Sequence, residues 1–479
     1  MRQPKEIATI LEDRGYSIHN IITDVLSKFN MKTLCHRSGL VKQAGYGAFE
    51  VLLILLMLPL LALKTVNELL KAEYSELVKM KKDTIYRFKN NDRYPWRSLL
   101  MNVAKMFRRK TEGTQPIDAI ERITAFIIDD SLLQHIGWKI ENITRVFDHC
   151  LSKTVYGFKY LVLGYHDGIS TIPLDFSLHS EKALEPAKKK KQHKKDVNSK
   201  SSGGKRRKEL KTNKITQAVK MIKRAIKHGF TAKYVLCDSW FTSYDFIKAI
   251  RGIKSGALHI IAGIRADKRK YNHEGEMFST KELVEKCKKS GKEKRCRSLN
   301  IRYFELIVDY KGLGDIKLLI CRYPGQKKWR AFISTDTSLT FLEIMKIYGL
   351  RWTIEVMFKE MKTYLNLGKC QSNDFDAQIA DATISSILYI LLAYVKRVES
   401  YETIGELFQC INEEIREKTL AERLWAIFEE LLAYALDVAA AGGFLDFSTF
   451  KDSKEFLMIK EIFSSSFLSF QLEKLNKAS

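Results

Sequence analysis

Eight cysteines are scattered along the chain (Cys35, Cys150, Cys237, Cys287, Cys296, Cys321, Cys370 and Cys410), with no Cys-x-x-Cys pair and no paired Cys/His spacing. That pattern speaks against a zinc site and against a disulfide framework, and it fits a reducing cytoplasm. Long hydrophobic runs are also lacking. The longest, Val51 to Leu63, has 13 residues, follows Glu50 and contains Pro59. It is short for a membrane span and reads as a buried helix with a kink. Met1 to Gly15 is mixed and charged, with no visible secretory signal. The last shortage is acidic charge. Asp plus Glu number 56 against 81 Lys plus Arg, a net charge of +25. Such an excess calls for a polyanionic partner, most simply DNA or RNA, with an anionic membrane surface as the competing explanation.

At 479 residues the chain can bury more than one core, so two to four domains are expected. Residues 1–115 read mostly helical, with recurrent basic residues such as Lys79, Lys81, Lys82, Arg87, Lys89, Arg108, Arg109 and Lys110. The texture changes at Ile123. Ile123–Ile128, Thr154–Leu163 and Ile169–Phe176 read as strands, the last two separated by the turn signal Asp167-Gly168. Together they look like a meander opening a mixed sheet. Residues 186–214 are Lys, Gln, Ser, Gly and Arg with almost nothing apolar, which predicts a mobile basic loop. A helix over Ile215–His228, a strand at Tyr234–Cys237, and a further helix and strand at Ala257–Ile264 follow. Residues 265 to about 335 read as strand-rich, and 375–479 as helical.

The chemistry concentrates in Tyr348, Arg351, Glu355 and Lys362, spaced by three, four and seven residues. At about 100° per residue these fall in one helical stripe roughly 60° wide. Leu350, Ile354, Met357, Phe358 and Met361 fill the neighbouring stripe, which would face a core. Glu and Lys on one helix face ordinarily form a solvated salt-bridge surface. Two other acids alter that reading: Asp129 and Asp238 each close an apolar β-run. Carboxylates held at a sheet rim can converge on a cleft. Two aspartates and a glutamate supply hard oxygens yet too few to fill the shell of Mg²⁺, leaving positions for substrate oxygens. Two such ions about 3.5–4 Å apart can activate a water or 3′-hydroxyl and stabilise the leaving oxygen. Arg and Lys would hold phosphates. Each acid taken singly has a structural role open to it as a turn former, and for Asp238, before Ser239, as a helix N-cap.

Tyr348-x-x-Arg351-x-x-x-Glu355-x-x-x-x-x-x-Lys362 resembles the Y-R-E-K signature of bacterial insertion-sequence transposases of the DDE type. The surrounding words are similar too: Ile128-Asp129-Asp130-Ser131, Leu236-Cys237-Asp238-Ser239-Trp240-Phe241, Ile333-Ser334-Thr335-Asp336 and Arg351-Trp352-Thr353-Ile354-Glu355. The resemblance covers roughly residues 115–375. It implies an α/β fold, an RNase H-like mixed sheet with flanking helices and a β-rich insertion before the catalytic Glu, to which the residues themselves add helical N- and C-terminal regions. The expected divisions are a helical, DNA-binding 1–115, a first core part 116–264 containing the disordered basic loop 186–214, an insertion 265–337, the catalytic helix 338–375, and a helical 376–479.

The resemblance further implies cut-and-paste transposition with two Mg²⁺ ions, for which Mn²⁺ would substitute. Asp129, Asp238 and Glu355 would be the catalytic metal ligands. Asp129 is preferred to its neighbour Asp130 because a hydroxyl, Ser131, follows two positions later. Tyr348, Arg351 and Lys362 would hold DNA phosphates. A hairpin intermediate with a flipped base stacked on an aromatic is also implied, and Trp329 lies in the right stretch. The partner would be double-stranded DNA, both terminal inverted repeats and target, with no membrane. The working form would be a homodimer on paired ends, in a bacterial, nucleoid-associated cytoplasmic setting; Leu424, Ile427, Phe428, Leu431 and Leu432, at helical spacing, are the candidate contact, with an intramolecular core helix as the alternative. The rival classes are a catalytically inactive or domesticated DNA-binding protein and an RNase H-like nuclease or resolvase.

Overall fold

The computed structural model describes residues 21–71, 80–112, 123–148, 151–265, 269–399 and 401–412. The chain forms two compact units, one made of residues 1–91, 363–371 and 380–479, the other of residues 92–362 and 372–379.

The first unit is helical among its described residues: α1 (Ile21–Lys28), α2 (Met31–Arg37), α3 (Ala48–Leu60), α4 (Val66–Lys71) and α5 (Lys82–Lys89). The apolar run sits in α3, where every residue except Glu50 is buried. Glu50 closes the helix start by accepting the Gly47 N–H at 3.0 Å. Pro59 falls in the last turn, so it ends the helix instead of kinking it; Ala62 follows in a left-handed conformation at φ 57°. Phe29 meets Tyr394 edge-to-face at 5.1 Å, and Lys89 pairs with Asp381 at 2.8 Å.

The second unit starts with α6 (Trp96–Thr111). An end to the N-terminal region near residue 115 was expected, but the units divide at Asn91/Asp92. Buried Leu99, Leu100, Val103, Ala104 and Phe107 give α6 an apolar face, and Arg97 reaches the strand residue Asp175. The sheet follows: β1 (Ala125–His135), β2 (Thr144–Asp148), β3 (Lys153–His166), β4 (Thr171–His179), then α7 (Pro186–Lys190), α8 (Ser202–Glu209), α9 (Lys214–Lys227), β5 (Tyr234–Cys237), α10 (Tyr244–Arg251) and β6 (His259–Ile264). The second half holds β7 (Lys270–His273), β8 (Glu276–Ser279), α11 (Thr280–Lys289), β9 (Lys294–Cys296), β10 (Ile301–Asp309), β11 (Asp315–Arg322), β12 (Arg330–Ser334), α12 (Phe341–Gly349), α13 (Trp352–Tyr364) and the first residues of α14 (Phe375–Val398).

Among the described residues the strands form one twelve-stranded sheet in the order β2-β3-β1-β5-β6-β12-β11-β10-β7-β8, with β4 on β3 and β9 on β10. The β1–β3 and β3–β4 pairs are antiparallel, whereas β1–β5 and β5–β6 are parallel. This is the expected mixed sheet with flanking helices. The meander turn is as read: Asp167 Oδ1 accepts the N–H groups of Ile169 and Ser170, and Gly168 takes φ 100°. The strand-rich segment adds to the edge of the same sheet, because β12 returns to pair with β6. It also contains a helix, α11, started by a capping box between Ser279 and Glu282.

The basic stretch 186–214 differs from expectation. It is ordered, because its cations find buried partners. Arg206, on α8, is 3.9 Å from the fully buried Asp175, which also takes Arg97 and Arg224, each at 2.8 Å. Arg207 pairs with Glu141 at 2.7 Å and Asp376 at 2.8 Å, and Lys195 with Asp374 at 3.0 Å and Asp376 at 2.8 Å. The arginines point inward, while Lys189, Lys190, Lys191, Lys194, Lys200, Lys205, Lys208 and Lys211 stay exposed.

Helix α14 is the one described helix long and apolar enough to cross a membrane, but 94% of its most apolar window is buried within the protein. Among the described residues seven cysteines are free thiols, five of them buried. Leu424, Ile427, Phe428, Leu431 and Leu432 lie outside the described residues.

Candidate active site

Asp129 sits inside β1, where one of its neighbours stops. Composition placed a strand end there, but β1 runs six residues further because β3 pairs with it as far as His135. Its parallel partner β5 ends at Cys237, opposite Ile128. Asp129 and Asp238 therefore leave the β1–β5 ladder next to each other. Adjacent strands lie about 4.8 Å apart. Their charges interact: Asp238 contributes to holding the Asp129 pKa up.

Asp238 opens the β5–α10 loop. Its Oδ1 accepts the Trp240 N–H at 2.9 Å, an Asx turn. The N-cap of α10 is Ser243, whose hydroxyl accepts from Phe246 N, so the N-cap role open to Asp238 is filled by another residue. Phe241, fully buried, anchors the loop.

The helix expected to carry all four signature residues is broken. α12 ends at Gly349 and α13 begins at Trp352, with i→i+3 hydrogen bonds across the junction from Arg351 N to Tyr348 O and from Thr353 N to Leu350 O. The single-stripe reading therefore holds for Glu355 and Lys362, not for Tyr348. The apolar face is as read, with Ile354, Met357, Phe358 and Met361 buried, though Leu350 is only half-buried. Tyr348 still lies beside Arg351, whose guanidinium carbon is 5.7 Å from the phenol ring centre. The tyrosine packs over β6: a Cβ on Gly263 would come within 3.2 Å of its hydroxyl. Burial pushes the Tyr348 phenol up to about 12, so it stays a proton donor.

Arg351 joins the acids. Its Nη1 is 3.1 Å from Asp129 Oδ2 and its Nη2 is 2.6 Å from Glu355 Oε1. Burial pushes the Asp129 carboxyl up to about 7, and the opposing pull of Arg351 does not overcome it. Burial also opposes the Arg351 charge, but Tyr348, Asp129 and Glu355 outweigh it and raise its pKa. Arg351 Nε is buried with no acceptor. Lys362 donates to Ser131 Oγ at 2.8 Å, which ties α13 to β1 one strand repeat beyond Asp129.

The structure brings Asp129, Asp238, Tyr348, Arg351, Glu355 and Lys362 to one region of the sheet. It does not bring the three carboxylates around one point. Among the described residues no three His, Cys, Asp or Glu side chains group closely enough to hold a metal ion. The reason is Arg351, which stands between Asp129 and Glu355. The donor chemistry nonetheless suits a divalent cation: all three acids offer hard oxygens, and the guanidinium shows that positive charge is accommodated between two of them. Trp329 sits elsewhere, its ring on Phe304 at 5.0 Å, Arg322 at 5.0 Å and Lys288 at 5.8 Å, all within the strand-rich segment.

Sequence reasoning left several neighbours unassigned. Lys214 Nζ is 3.2 Å from Asp130 Oδ2 and 4.2 Å from the Trp240 ring centre. Asp130 thus faces α9, as alternation along β1 requires. Thr353 bonds Thr171 at 2.7 Å, and Thr171 bonds the buried His166 at 3.0 Å, linking the start of α13 to the β3–β4 hairpin. No spacing signal pointed to these, because they pair across separate elements.

Two family models match this chain. The DDE superfamily endonuclease model covers residues 41–298, more than half the chain, and the transposase DDE domain model covers residues 207–391. The chain belongs to the DDE superfamily of endonucleases. The twelve-stranded mixed sheet with its flanking helices is consistent with the RNase H-like fold of such enzymes. The protein is a DDE-type transposase, an enzyme that cleaves DNA, and members of this family use divalent metal ions. A search of curated proteins finds no match.

Proposed function

We propose that this DDE transposase excises and reinserts an insertion sequence, acting on its terminal inverted repeats through Asp129, Asp238 and Glu355. The observation that carries the assignment is the Arg351 bridge, which connects Asp129 on β1 to Glu355 on α13 while Asp238 stands at the adjacent strand end. Three acids from distant segments of the sequence thus lie in one region of the sheet, beside a phenol and two cations, which supports the reading.

The three carboxylates would hold two Mg²⁺ ions, with Mn²⁺ able to substitute. Bound there, the ions would supply a lowered pKa for the attacking water or 3′-hydroxyl and charge stabilisation for the leaving oxygen. The chain's own residues do the positioning. Arg351 has donors in a planar fork that matches a phosphate, and its buried Nε is a spare one. Lys362 points from α13 towards Ser131 on β1, two residues beyond Asp129, and would hold a second phosphate. Tyr348 stays protonated and donates a hydrogen bond to the scissile strand. With Arg351 turned to a phosphate, Asp129 and Glu355 would lose their shared cation, and their oxygens could hold the metal.

The finer steps belong to the same proposal: a hairpin at the transposon end, and a homodimer on two paired ends in the bacterial cytoplasm. The test is incubation with supercoiled DNA carrying inverted repeats found beside the open reading frame, with and without Mg²⁺. Metal-dependent release of the intervening segment supports the reading. Binding without strand scission at any metal concentration would leave only a DNA-binding protein, and scission without repeat dependence would leave a nuclease.

A further inference from the structure

We propose that His166, Thr171 and Thr353 form a directed chain of hydrogen bonds that sets the break between α12 and α13 and so positions Arg351 against Asp129 and Glu355. The inference rests on the DNA-cutting reading above and adds three positioning residues to its site.

The direction of the chain follows from the number of hydrogens each group owns. Thr353 Oγ1 donates to the Leu350 carbonyl at 2.7 Å, which uses its single hydrogen. The same oxygen lies 2.7 Å from Thr171 Oγ1, so Thr171 is the donor between the two hydroxyls. Thr171 Oγ1 is also 3.0 Å from His166 Nδ1, and with its own hydrogen given to Thr353 it accepts there. His166 therefore carries a proton on Nδ1. Burial pushes its pKa down against the opposing pull of Asp167, so the ring is neutral and Nε2 is bare.

The chain ends on the carbonyl that matters for the helix. Leu350 O accepts the Thr353 N–H at 3.1 Å as well as the hydroxyl, so both its lone pairs are taken. In an unbroken α-helix that carbonyl would accept from Ile354 N. Ile354 N bonds Arg351 O at 3.2 Å instead, one residue tighter. A threonine hydroxyl bonded back to its own helix bends it, and here no proline is needed to do so.

The sheet anchors the other end. His166 closes β3 and Thr171 opens β4, directly opposite each other in the ladder. Gly164, on the same face of β3 as His166, lets α13 come close: a Cβ there would lie 3.4 Å from Ile354 Cδ1. The break is thus pinned to a buried hairpin, and from it Arg351 reaches Asp129 at 3.1 Å and Glu355 at 2.6 Å.

The test uses the full chain and two readouts. In ¹⁵N NMR of histidine-labelled protein, with the His166 signal assigned by its loss in His166→Gln, the wild type is expected to show the Nδ1–H form, the reverse of the Nε2–H form that free neutral histidine favours. In Thr353→Val the Thr171 hydroxyl is released to donate to Nδ1, so the ring should switch to Nε2–H. Single-turnover cleavage of repeat-bearing DNA with Mg²⁺ should fall about ten- to hundredfold in that variant, the scale of a small misplacement at a reacting centre. DNA affinity should stay near wild type, and Thr353→Ser, which keeps the hydroxyl, should restore most of the rate. Thr353 is only half-buried and valine matches its shape, so the fold should survive; Thr171→Val, which severs the chain from the hairpin, should show the same loss of cleavage at unchanged affinity. An Nε2–H or charged His166 in the wild type, full cleavage by either valine variant, or equal losses from Thr353→Val and Thr353→Ser would each overturn the proposal. A wild-type protein with the Nδ1–H signal that cuts no DNA would overturn the DNA-cutting reading, and with it the positioning role, but not the hydrogen-bond chain.

Discussion

Arg351 Nη1 donates to Asp129 Oδ2 at 3.1 Å across 222 residues of sequence, and the same guanidinium reaches Glu355 at 2.6 Å. A side chain proposed to hold DNA thus stands between two proposed metal ligands. This makes metal binding and DNA binding compete for one arginine: a phosphate that draws Arg351 away leaves two carboxylates uncompensated. Arg351→Gln is expected to tighten Mn²⁺ binding by the free protein on the order of tenfold, the scale on which one adjacent charge acts on a carboxylate. Electron paramagnetic resonance titration measures it. Strand cleavage by the same variant should collapse, since the phosphate contact goes too. Unchanged or weaker Mn²⁺ binding would show that the arginine does not guard the site.

Asp238 follows the end of β5, the strand beside Asp129. Asp238→Asn keeps the acceptor for the Trp240 N–H, so the loop should hold its shape. Cleavage of repeat-bearing DNA should fall below detection while DNA affinity and thermal stability stay near wild type. A parallel loss of affinity and stability would assign the residue to the turn alone.

Much of this site was legible because strand ends and helix spacing are local properties. Tyr234–Cys237 appears as read, and the apolar stripe of α13 follows its 3.6-residue period. What was not legible depends on distant partners. The continuation of β1 past Asp129 is dictated by β3, whose pairing residues carry no mark of it. The order of 186–214 is a matter of Asp175, Glu141 and Asp376, three acids outside the tract that a composition argument never consults. The break between Tyr348 and Arg351 contains no proline, and glycine only at Gly349, so spacing alone extended the helix through it.

The buried Asp175 is expected to govern that ordered stretch. Its side chain has no exposed surface and takes Arg97 and Arg224 at 2.8 Å, with Arg206 at 3.9 Å. These arginines hold its pKa down against a strong opposing effect of burial. Asp175→Ala removes the acid shared by three guanidinium groups, leaving Glu209 to face Arg97 and Arg206, and should cost about 3–5 kcal/mol, the range for breaking a buried pair. Urea denaturation measures the loss, and limited trypsin digestion should cut first within 186–214. Asp175→Asn should fall between the two.

Eight lysines of that stretch face outward, which predicts their part in binding. Replacing Lys189, Lys190, Lys191 and Lys194 together by Ser should weaken binding to all duplexes alike. The salt dependence should flatten by roughly 0.9 in log–log slope for each phosphate contact removed. A change in preference between repeat and random DNA, with the salt slope intact, would mean that these lysines read sequence.

Two buried histidines set an acid limit. Burial pushes His135 down to about 4, and its Nε2 has no acceptor; its ring packs edge-to-face on Phe158 at 6.0 Å. Burial, joined by the charge of Lys214, pushes His179 down to about 4, while its two nitrogens bond Ser177 at 2.8 Å and Thr212 at 3.1 Å. The unfolded chain titrates these groups near 6.5, so between 6.5 and 4 it binds more protons than the folded one. Stability is therefore fully present above about 6.5 and falls as the pH drops towards 4, by on the order of 2 kcal/mol per histidine at pH 5. His135→Phe keeps the aromatic contact and removes the proton site. Its urea midpoint should rise relative to wild type far more at pH 5 than at pH 7.5. An equal difference at the two pH values would show that the imidazole acts through packing and not through its charge.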